Sequence, residues 1–183
     1  MYALRLADPA DLPAIVAIYN STIESRMVTA DTSPVTVESR LAWFAAHQRS
    51  DRPLWVAEPL AHSDDRLCED TRWQARAHSS VLGWVSLSDF YGRPAYSRTG
   101  EISLYCHPSL RKRGLGRFML ASAMAFARDH DIENLLGFVF AHNVPSRALF
   151  EKFGFTTWGQ LPGVARLDGE PRDLCILGKN LCA

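Results

Sequence analysis

The sequence predicts a mixed α/β or α+β domain built on a central sheet, and three observations lead to that class. Short β-like runs at residues 2–6, 54–58, 81–88 and 99–107 are interleaved with segments whose apolar residues recur at helical spacing. In the middle of the chain these runs follow one another without an intervening helix, the pattern of a β-meander. The 183 residues are 47% hydrophobic, enough for one domain with a substantial core. We expect a single domain over residues 1–183, with no internal repeat and no low-complexity tract.

The elements follow in order. Residues 2–6 form a strand. Asp8 then caps, Pro9 suits the first helical position, and Asp11 places negative charge where a helix dipole favours it. Leu12, Ile15, Val16 and Tyr19 recur at helical spacing. Residues 35–48 predict a second helix, with Leu41 and Phe44 on one face and Trp43 near its edge. After the strand at 54–58, residues 59–80 are polar, mixed in charge and without a clean period. Lying between two strands, they read as a hairpin insertion or a partly ordered loop. His62, Cys68 and His78 within them match no standard zinc spacing, and no metal is expected.

The strand at 99–107 is followed by a turn at 108–116 and a helix to about residue 130 that buries Leu115, Phe118, Met119, Ala123 and Phe126. A buried strand at 135–140 and a helix at 144–153 come next. Gly154 closes that helix, as the residue type that accepts a left-handed cap. Short strands at 155–158 and 174–177 complete the reading.

Composition excludes several classes. Twenty Lys and Arg balance twenty Asp and Glu, and a neutral chain lacks the broad positive surface of a dedicated nucleic-acid binder. No run approaches the roughly 18 apolar residues of a membrane span, so no membrane partner is expected. The N-terminal residues lack the basic start and long apolar run of a signal peptide. Cys68, Cys106, Cys175 and Cys182 form no CxxC pair and no dense framework, which makes a reducing cytoplasm the expected location.

The segment Arg111-Lys-Arg-Gly-Leu-Gly-Arg117 between a strand and an amphipathic helix is the most informative. Its glycines let the backbone turn tightly and approach a ligand, and the following helix presents unpaired N–H groups and a positive dipole end. Such a loop suits a phosphate or pyrophosphate, with Arg111, Lys112, Arg113 and Arg117 adding charge; a basic turn with a glycine pair is the plainer reading. No GxxxxGK[ST] is present, and GxGxxG fails because Met119 stands at the third glycine position.

Upstream, Cys106-His-Pro108 leads into Arg111-x-x-Gly-x-Gly; downstream, His142-Asn-Val-Pro-Ser146 opens a helix that ends on Gly154-Phe155. Together these resemble the two halves of the acetyl-CoA signature of the GCN5-related N-acetyltransferase (GNAT) superfamily, over nearly the whole chain. Tyr19-Asn20, Leu41-Ala-Trp-Phe44, Thr99-Gly-Glu101 and Leu161-Pro-Gly-Val164 most resemble the phosphinothricin and methionine-sulfoximine acetyltransferases.

The resemblance implies a mixed, mostly antiparallel sheet splayed between its fourth and fifth strands, where the pantetheine arm of acetyl-CoA inserts. By position, N–H groups from Arg113 through Gly114, Leu115, Gly116 and Arg117 to Phe118 hold the pyrophosphate. The backbone of Leu104, Tyr105 and Cys106 bonds the pantetheine amides, and one N–H there polarises the thioester carbonyl. Asn143 bonds the arm, with Ser146 close by. A homodimer is also implied.

Glu101 is the expected catalytic base. On a strand it shares a face with Ser103 and Tyr105, while Ile102, Leu104 and Cys106 share the other. Amine acetylation needs a neutral amine, and a carboxylate with a raised pKa can remove the proton directly or through water. The alternative is an exposed strand carboxylate paired with Arg98. Phe150 stands where the superfamily carries Tyr or His as proton donor, which leaves an unprotonated thiolate, solvent, Tyr105 or His107. In the loop before the catalytic strand, Tyr91 replaces an expected Arg, with Arg93 and Arg98 nearby to contact an anionic substrate group. Pro171 replaces a subfamily Trp. His107 reads as a strand-end residue and Cys106 as a small buried hydrophobe, which favours direct attack in a ternary complex.

The leading expectation is acetyl transfer from acetyl-CoA to the primary amine of a small molecule, an amino acid or analogue. A protein, peptide or antibiotic acceptor is the alternative within enzymes. A non-catalytic CoA-binding module and a nucleic-acid binder are the alternatives outside them.

Overall fold

The computed structural model describes residues 1–60 and 81–182. β1 (Tyr2–Leu6) leads into a 3₁₀ turn at Pro9–Asp11 and α1 (Leu12–Asn20). A 3₁₀ turn at Glu38–Arg40 precedes α2 (Leu41–Ala46), and β2 (Gln48–Arg49) turns into β3 (Arg52–Pro59). Then come β4 (Gly83–Asp89), β5 (Thr99–Cys106), α3 (Leu115–Asp129), β6 (Asn134–Phe140) and α4 (Val144–Lys152). β7 (Thr156–Leu167) and β8 (Glu170–Asn180) close the chain as a hairpin. The expected insertion at 59–80, with His62, Cys68 and His78, lies outside the described residues apart from Pro59 and Leu60.

The strands make an eight-stranded sheet in the order β1-β3-β4-β5-β6-β8-β7, with β2 paired to β3 off this path. Every neighbouring pair is antiparallel except β5–β6. Counting β2, the expected splay between fourth and fifth strands falls between β5 and β6.

Period-2 alternation sends side chains to two cores. Val85, Leu87 and Ile102 meet Leu115, Met119, Leu120, Ala123 and Ala127 of α3 on one face. Leu54, Val56 and Trp84 meet Leu12, Ile15, Val16 and Phe44 on the other. The buried positions of α3 repeat at helical spacing, which is why a single stripe suffices to dock it. The 3₁₀ turn that leads into α1 is fixed by a capping box, in which Asp8 and Asp11 reciprocally satisfy backbone N–H groups, and by Arg5, whose guanidinium spans Asp11 and Glu58.

Two elements depart from the sequence reading. The second helix is only Leu41–Ala46, preceded by the 3₁₀ turn; one short helix buries one position, so Phe44 is inside while Leu41 is 57% exposed. The C-terminal strands are two to three times longer than expected. Asp168 and Gly169, both at positive φ, form the tight turn that joins them, a pairing suited to twisted hairpins. Register shifts at Thr157/Gly159 and Leu161/Ala165 break the alternation that would have marked β7.

One packing detail explains Phe150. A Cβ at Gly137 on β6 would lie 2.8 Å from Cε1 of Phe150, so the absent side chain makes the seat for that ring. Gly137→Ala is expected to destabilise the fold by about 1–3 kcal/mol through overpacking. Thermal denaturation checks it, and Phe150→Leu in the same chain should recover most of the loss by removing the ring that the methyl strikes.

Candidate active site

β5 and β6 pair over only Thr99–Asn134, Gly100–Leu135 and Glu101–Leu136, then diverge. From Ile102 to Cys106 the edge of β5 facing β6 therefore has no strand partner among the described residues, and its N–H and C=O groups there are open to a ligand. The residues that begin α3 and α4 lie beside it. A cleft of about 530 Å³ follows it, walled by Leu104, Tyr105 and Cys106 of β5, Arg111, Lys112 and Gly114 of the loop, Leu115, Gly116 and Arg117 of α3, and Asn143, Ser146 and Leu149 around α4.

The loop geometry suits an anion. Gly114 caps α3 at φ 85°, a left-handed conformation that a side chain would strain. The first helical bond is Phe118 N–H to Gly114 O at 3.0 Å, so Leu115, Gly116 and Arg117 present N–H groups without backbone acceptors among the described residues. The helix dipole and the Arg111, Lys112 and Arg117 side chains add positive potential there.

Two of the expected donors are engaged elsewhere: Arg113 N–H reaches Leu110 O at 3.4 Å, and Phe118 N–H makes that first helical bond. Arg113 is exposed, its carbonyl accepting from Tyr2, and Phe118 packs on Tyr2. Asn143 is buried and caps α4, its Oδ1 accepting from Ser146 N–H at 3.2 Å; this commits the carbonyl and leaves its amide N–H₂ at the cleft wall.

On the α1–α2 face, a second cavity of about 140 Å³ is lined by Ile15, Val16, Tyr19, Val35, Arg40, Trp43, Trp84, Ser86, Ser88, Glu101, Ser103 and Tyr105. Glu101, Ser103 and Tyr105 thus share a face. Glu101 is partly buried, has no ion pair or hydrogen-bond partner among the described residues, and lies opposite Ser88 on β4. Burial pushes its carboxyl above the ordinary value. A space of about 50 Å³ lies between cavity and cleft. It shares Ser103 and Tyr105 with the former, and Leu104, Tyr105, Asn143 and Ser146 with the latter. The three spaces thus adjoin one another along β5, from the basic loop to Glu101.

Tyr105 stacks on Trp84 at 4.4 Å and tilts against Tyr19 at 5.1 Å. Burial raises its phenol well above the usual range. Tyr19 hydroxyl contacts Thr29 and donates to Asp31 at 2.6 Å, while Arg40 lies over the Tyr19 ring at 4.9 Å and donates to Asp31 at 2.8 Å. Behind Ser88, His47 is buried; its Nδ1 lies 2.7 Å from Trp43 O and its Nε2 3.0 Å from Ser88 Oγ, a neutral arrangement that desolvation favours.

The loop residues expected at the substrate are not brought to this cavity. Arg98 pairs with Glu133, not with Glu101. Tyr91, at φ 57°, is exposed in an aromatic cluster with Phe90 and Tyr96, and Arg93 is exposed in the same turn. Phe150 is buried under Gly137 and edge-on to Phe155. His107 caps the turn after β5 through Ser109. Cys106 is half-buried at the cleft wall, its thiol pushed up to about 11 by desolvation, which makes it a poor nucleophile.

The fold, with a basic cleft adjoining a cavity that holds a carboxylate, defines an acyl-transfer architecture, and comparison with known proteins agrees. Residues 35–155 match the acetyltransferase (GNAT) family, to which this chain belongs. YwnH of Bacillus subtilis, provisionally named a phosphinothricin acetyltransferase, is 48% identical over 97% of this chain and 98% of its own. The L-methionine sulfoximine/L-methionine sulfone acetyltransferase of Pseudomonas paraeruginosa is 30% identical over 98% of this chain and 94% of its own. Among solved structures, yncA from Salmonella typhimurium with its cofactor acetyl-CoA superposes with a TM-score of 0.80 at 27% identity, covering 98% and 94% of the two chains. The chain is an acetyl-CoA-dependent N-acetyltransferase by family. No helix among the described residues is long and apolar enough to cross a membrane.

Sequence reasoning missed Tyr19, Arg40, Trp43 and Trp84 as walls of the cavity. Their signal was faint: Trp43 at the edge of a helical face, and Arg40 and Tyr19 on segments that only the fold brings together.

Proposed function

We propose that the protein acetylates the primary amine of a small molecule, an amino acid or analogue, by direct attack in a ternary complex. The observation that carries this is a half-buried Glu101, unpartnered among the described residues, in a cavity that adjoins the cleft at the α3 N-terminus through shared walls. Leu115, Gly116 and Arg117 N–H groups, with Arg111, Arg117 and Gly114 around them, would hold the pyrophosphate; Leu104–Cys106 backbone and Asn143, beside Ser146, would hold the arm. Acetyl-CoA supplies the activated acetyl thioester. Glu101 takes one proton from the ammonium, and the neutral amine attacks the thioester carbonyl to form the C–N bond. The C–S bond breaks with its electron pair on sulfur, and the second proton that the nitrogen loses passes through solvent to the departing thiolate. Near the usual thiol pKa of about 8.5, that sulfur leaves without a protein acid, which accommodates Phe150.

The relatives' named substrates support a small acceptor. So does the modest cavity, below the roughly 300–1,000 Å³ of sites for drug-sized ligands. We also infer a single-domain homodimer in the cytoplasm. The edge strand β7 exposes Trp158, Leu161 and Val164, and Cys106, Cys175 and Cys182 are unpaired thiols.

The test is release of CoA thiol from acetyl-CoA against amino acids, L-methionine sulfone, L-methionine sulfoximine, phosphinothricin and polyamines, with a no-amine blank. Release with amino acids or their analogues is expected. Acetyl-CoA binding without release on any amine would overturn the reading.

A further inference from the structure

We propose that Arg40 recognises the carboxylate of the acceptor, so that the pocket selects α-amino acids and their analogues over amines without an acid group. This rests on the acetyl-transfer reading, with Glu101 at the amine end.

The charge inventory of the cavity leads to it. Among the residues lining it, Arg40 is the one cation and Glu101 the one carboxylate; the rest are serines, aromatics and aliphatics. An α-amino acid at neutral pH carries one positive and one negative group, and such a lining offers each an opposite partner. Of the other arginines near this end of the sheet, Arg93 is exposed and does not line the cavity, and the rest are committed. Arg49 binds Asp51 and Asp89, Arg52 binds Asp89, and Arg98 binds Glu133. The anion contact that the loop at 91–98 was expected to make thus has no cation in the cavity to make it, apart from Arg40.

Arg40 is also prepared for the task. Its guanidinium lies over the Tyr19 ring, and Nη2 donates to Asp31, so the side chain is held from two sides. Nε and Nη1 have no partner among the described residues, and Nη2 keeps a second N–H besides the one given to Asp31, so one edge of the guanidinium, Nη2 with Nε or with Nη1, still offers the two adjacent donors of a bidentate carboxylate contact. Asp31 does not cancel this offer, because its Oδ2 is shared with the Tyr19 hydroxyl and it engages only one guanidinium nitrogen. The segment bearing Val35 is pinned beside α1 by reciprocal bonds with Asn20, so the wall carrying Arg40 is held in place without a ligand. Trp43 and Trp84 then face the side chain of the acceptor.

The experiment compares L-methionine sulfone with its methyl ester, which keeps the amine and removes the negative charge. In Arg40→Met, kcat/KM for the acid should fall about 10- to 100-fold, mainly through KM, as expected for losing a charge-assisted pair. The ester should change by less than about threefold, and Arg40→Lys should fall between. Quenching of the cavity tryptophans by the acid, read without turnover, should weaken in parallel. Equal losses for acid and ester would make Arg40 a support of the segment around Asp31 and overturn the proposal. An unchanged KM for the acid would overturn it too. Should the wild-type protein bind acetyl-CoA yet acetylate no amino acid of the panel nor its ester, the acetyl-transfer reading fails and the anchor with it.

Discussion

Glu101→Gln is expected to lower kcat by about 10²–10⁴ while leaving acetyl-CoA affinity unchanged. The magnitude is that of removing a positioned general base. The separation of effects follows from the structure, because Glu101 lines the acceptor cavity and not the cleft at the α3 N-terminus. Stopped-time assays of CoA release and calorimetric titration of acetyl-CoA measure the two quantities independently. Loss of both together would place Glu101 in cofactor binding or in folding; loss of neither would remove it as the base.

The pH profile adds a second readout. A base must be deprotonated to act, so kcat/KM should rise with pH through the Glu101 pKa. Burial sets that midpoint above the roughly 4.3 of an exposed glutamate. In Glu101→Gln this limb should vanish.

The stability consequence runs in the opposite sense. A folded-state pKa raised above the unfolded value means that protonation stabilises the fold. That contribution is fully present below the unfolded pKa and lost as pH rises through the folded one. At pH 7 the buried carboxylate therefore costs stability, and Glu101→Gln should melt no lower than the wild type. The difference should shrink as pH falls through the folded value. A variant that is slow yet at least as stable cannot be explained by misfolding.

What could be read from the sequence divides along physical lines. α3 and β6 were legible because each buries a run of apolar positions, and β5 and α4 because of their punctuation, from Pro108 and the Gly114–Gly116 turn to the Asn143 cap and Gly154. Glu101 was legible because alternation on one strand is enough to assign a face. The long β7–β8 hairpin was not, since β7 lies at the edge with an exposed outer face and two register shifts. The acceptor wall was illegible for a different reason. Tyr19, Arg40, Trp43 and Trp84 come from four separate elements, and nothing local in any of them signals that they will meet. The loop at 91–98 shows the converse: its arginines looked available in sequence, yet Arg98 is claimed by Glu133, a partner 35 residues away that only the fold supplies.

Gly116→Val is expected to reduce acetyl-CoA affinity at least 100-fold, or about 2.8 kcal/mol at 1.4 kcal/mol per tenfold. A Cβ added at Gly116 would sit 3.3 Å from Leu149 Cδ2, 3.7 Å from Cys106 Sγ and 3.8 Å from Leu104 Cδ1, all of them cleft walls. The first methyl is thus accommodated by a small shift of Leu149, and Gly116→Ala should bind acetyl-CoA with only a modest loss. The two further methyls of valine have the cleft itself as their remaining space, beside the N–H groups of Leu115 and Arg117. The fold should tolerate the change, since valine is a better helix former than glycine and position 116 lies in the first turn of α3. Circular dichroism and thermal melting near wild-type values would confirm that only the cleft is blocked. Wild-type affinity in a folded Gly116→Val protein would move the pyrophosphate away from this loop. Paired with Glu101→Gln, which should bind and not turn over, the valine variant tests whether cofactor holding and proton removal reside in two adjoining spaces, as the walls shared through Tyr105 imply.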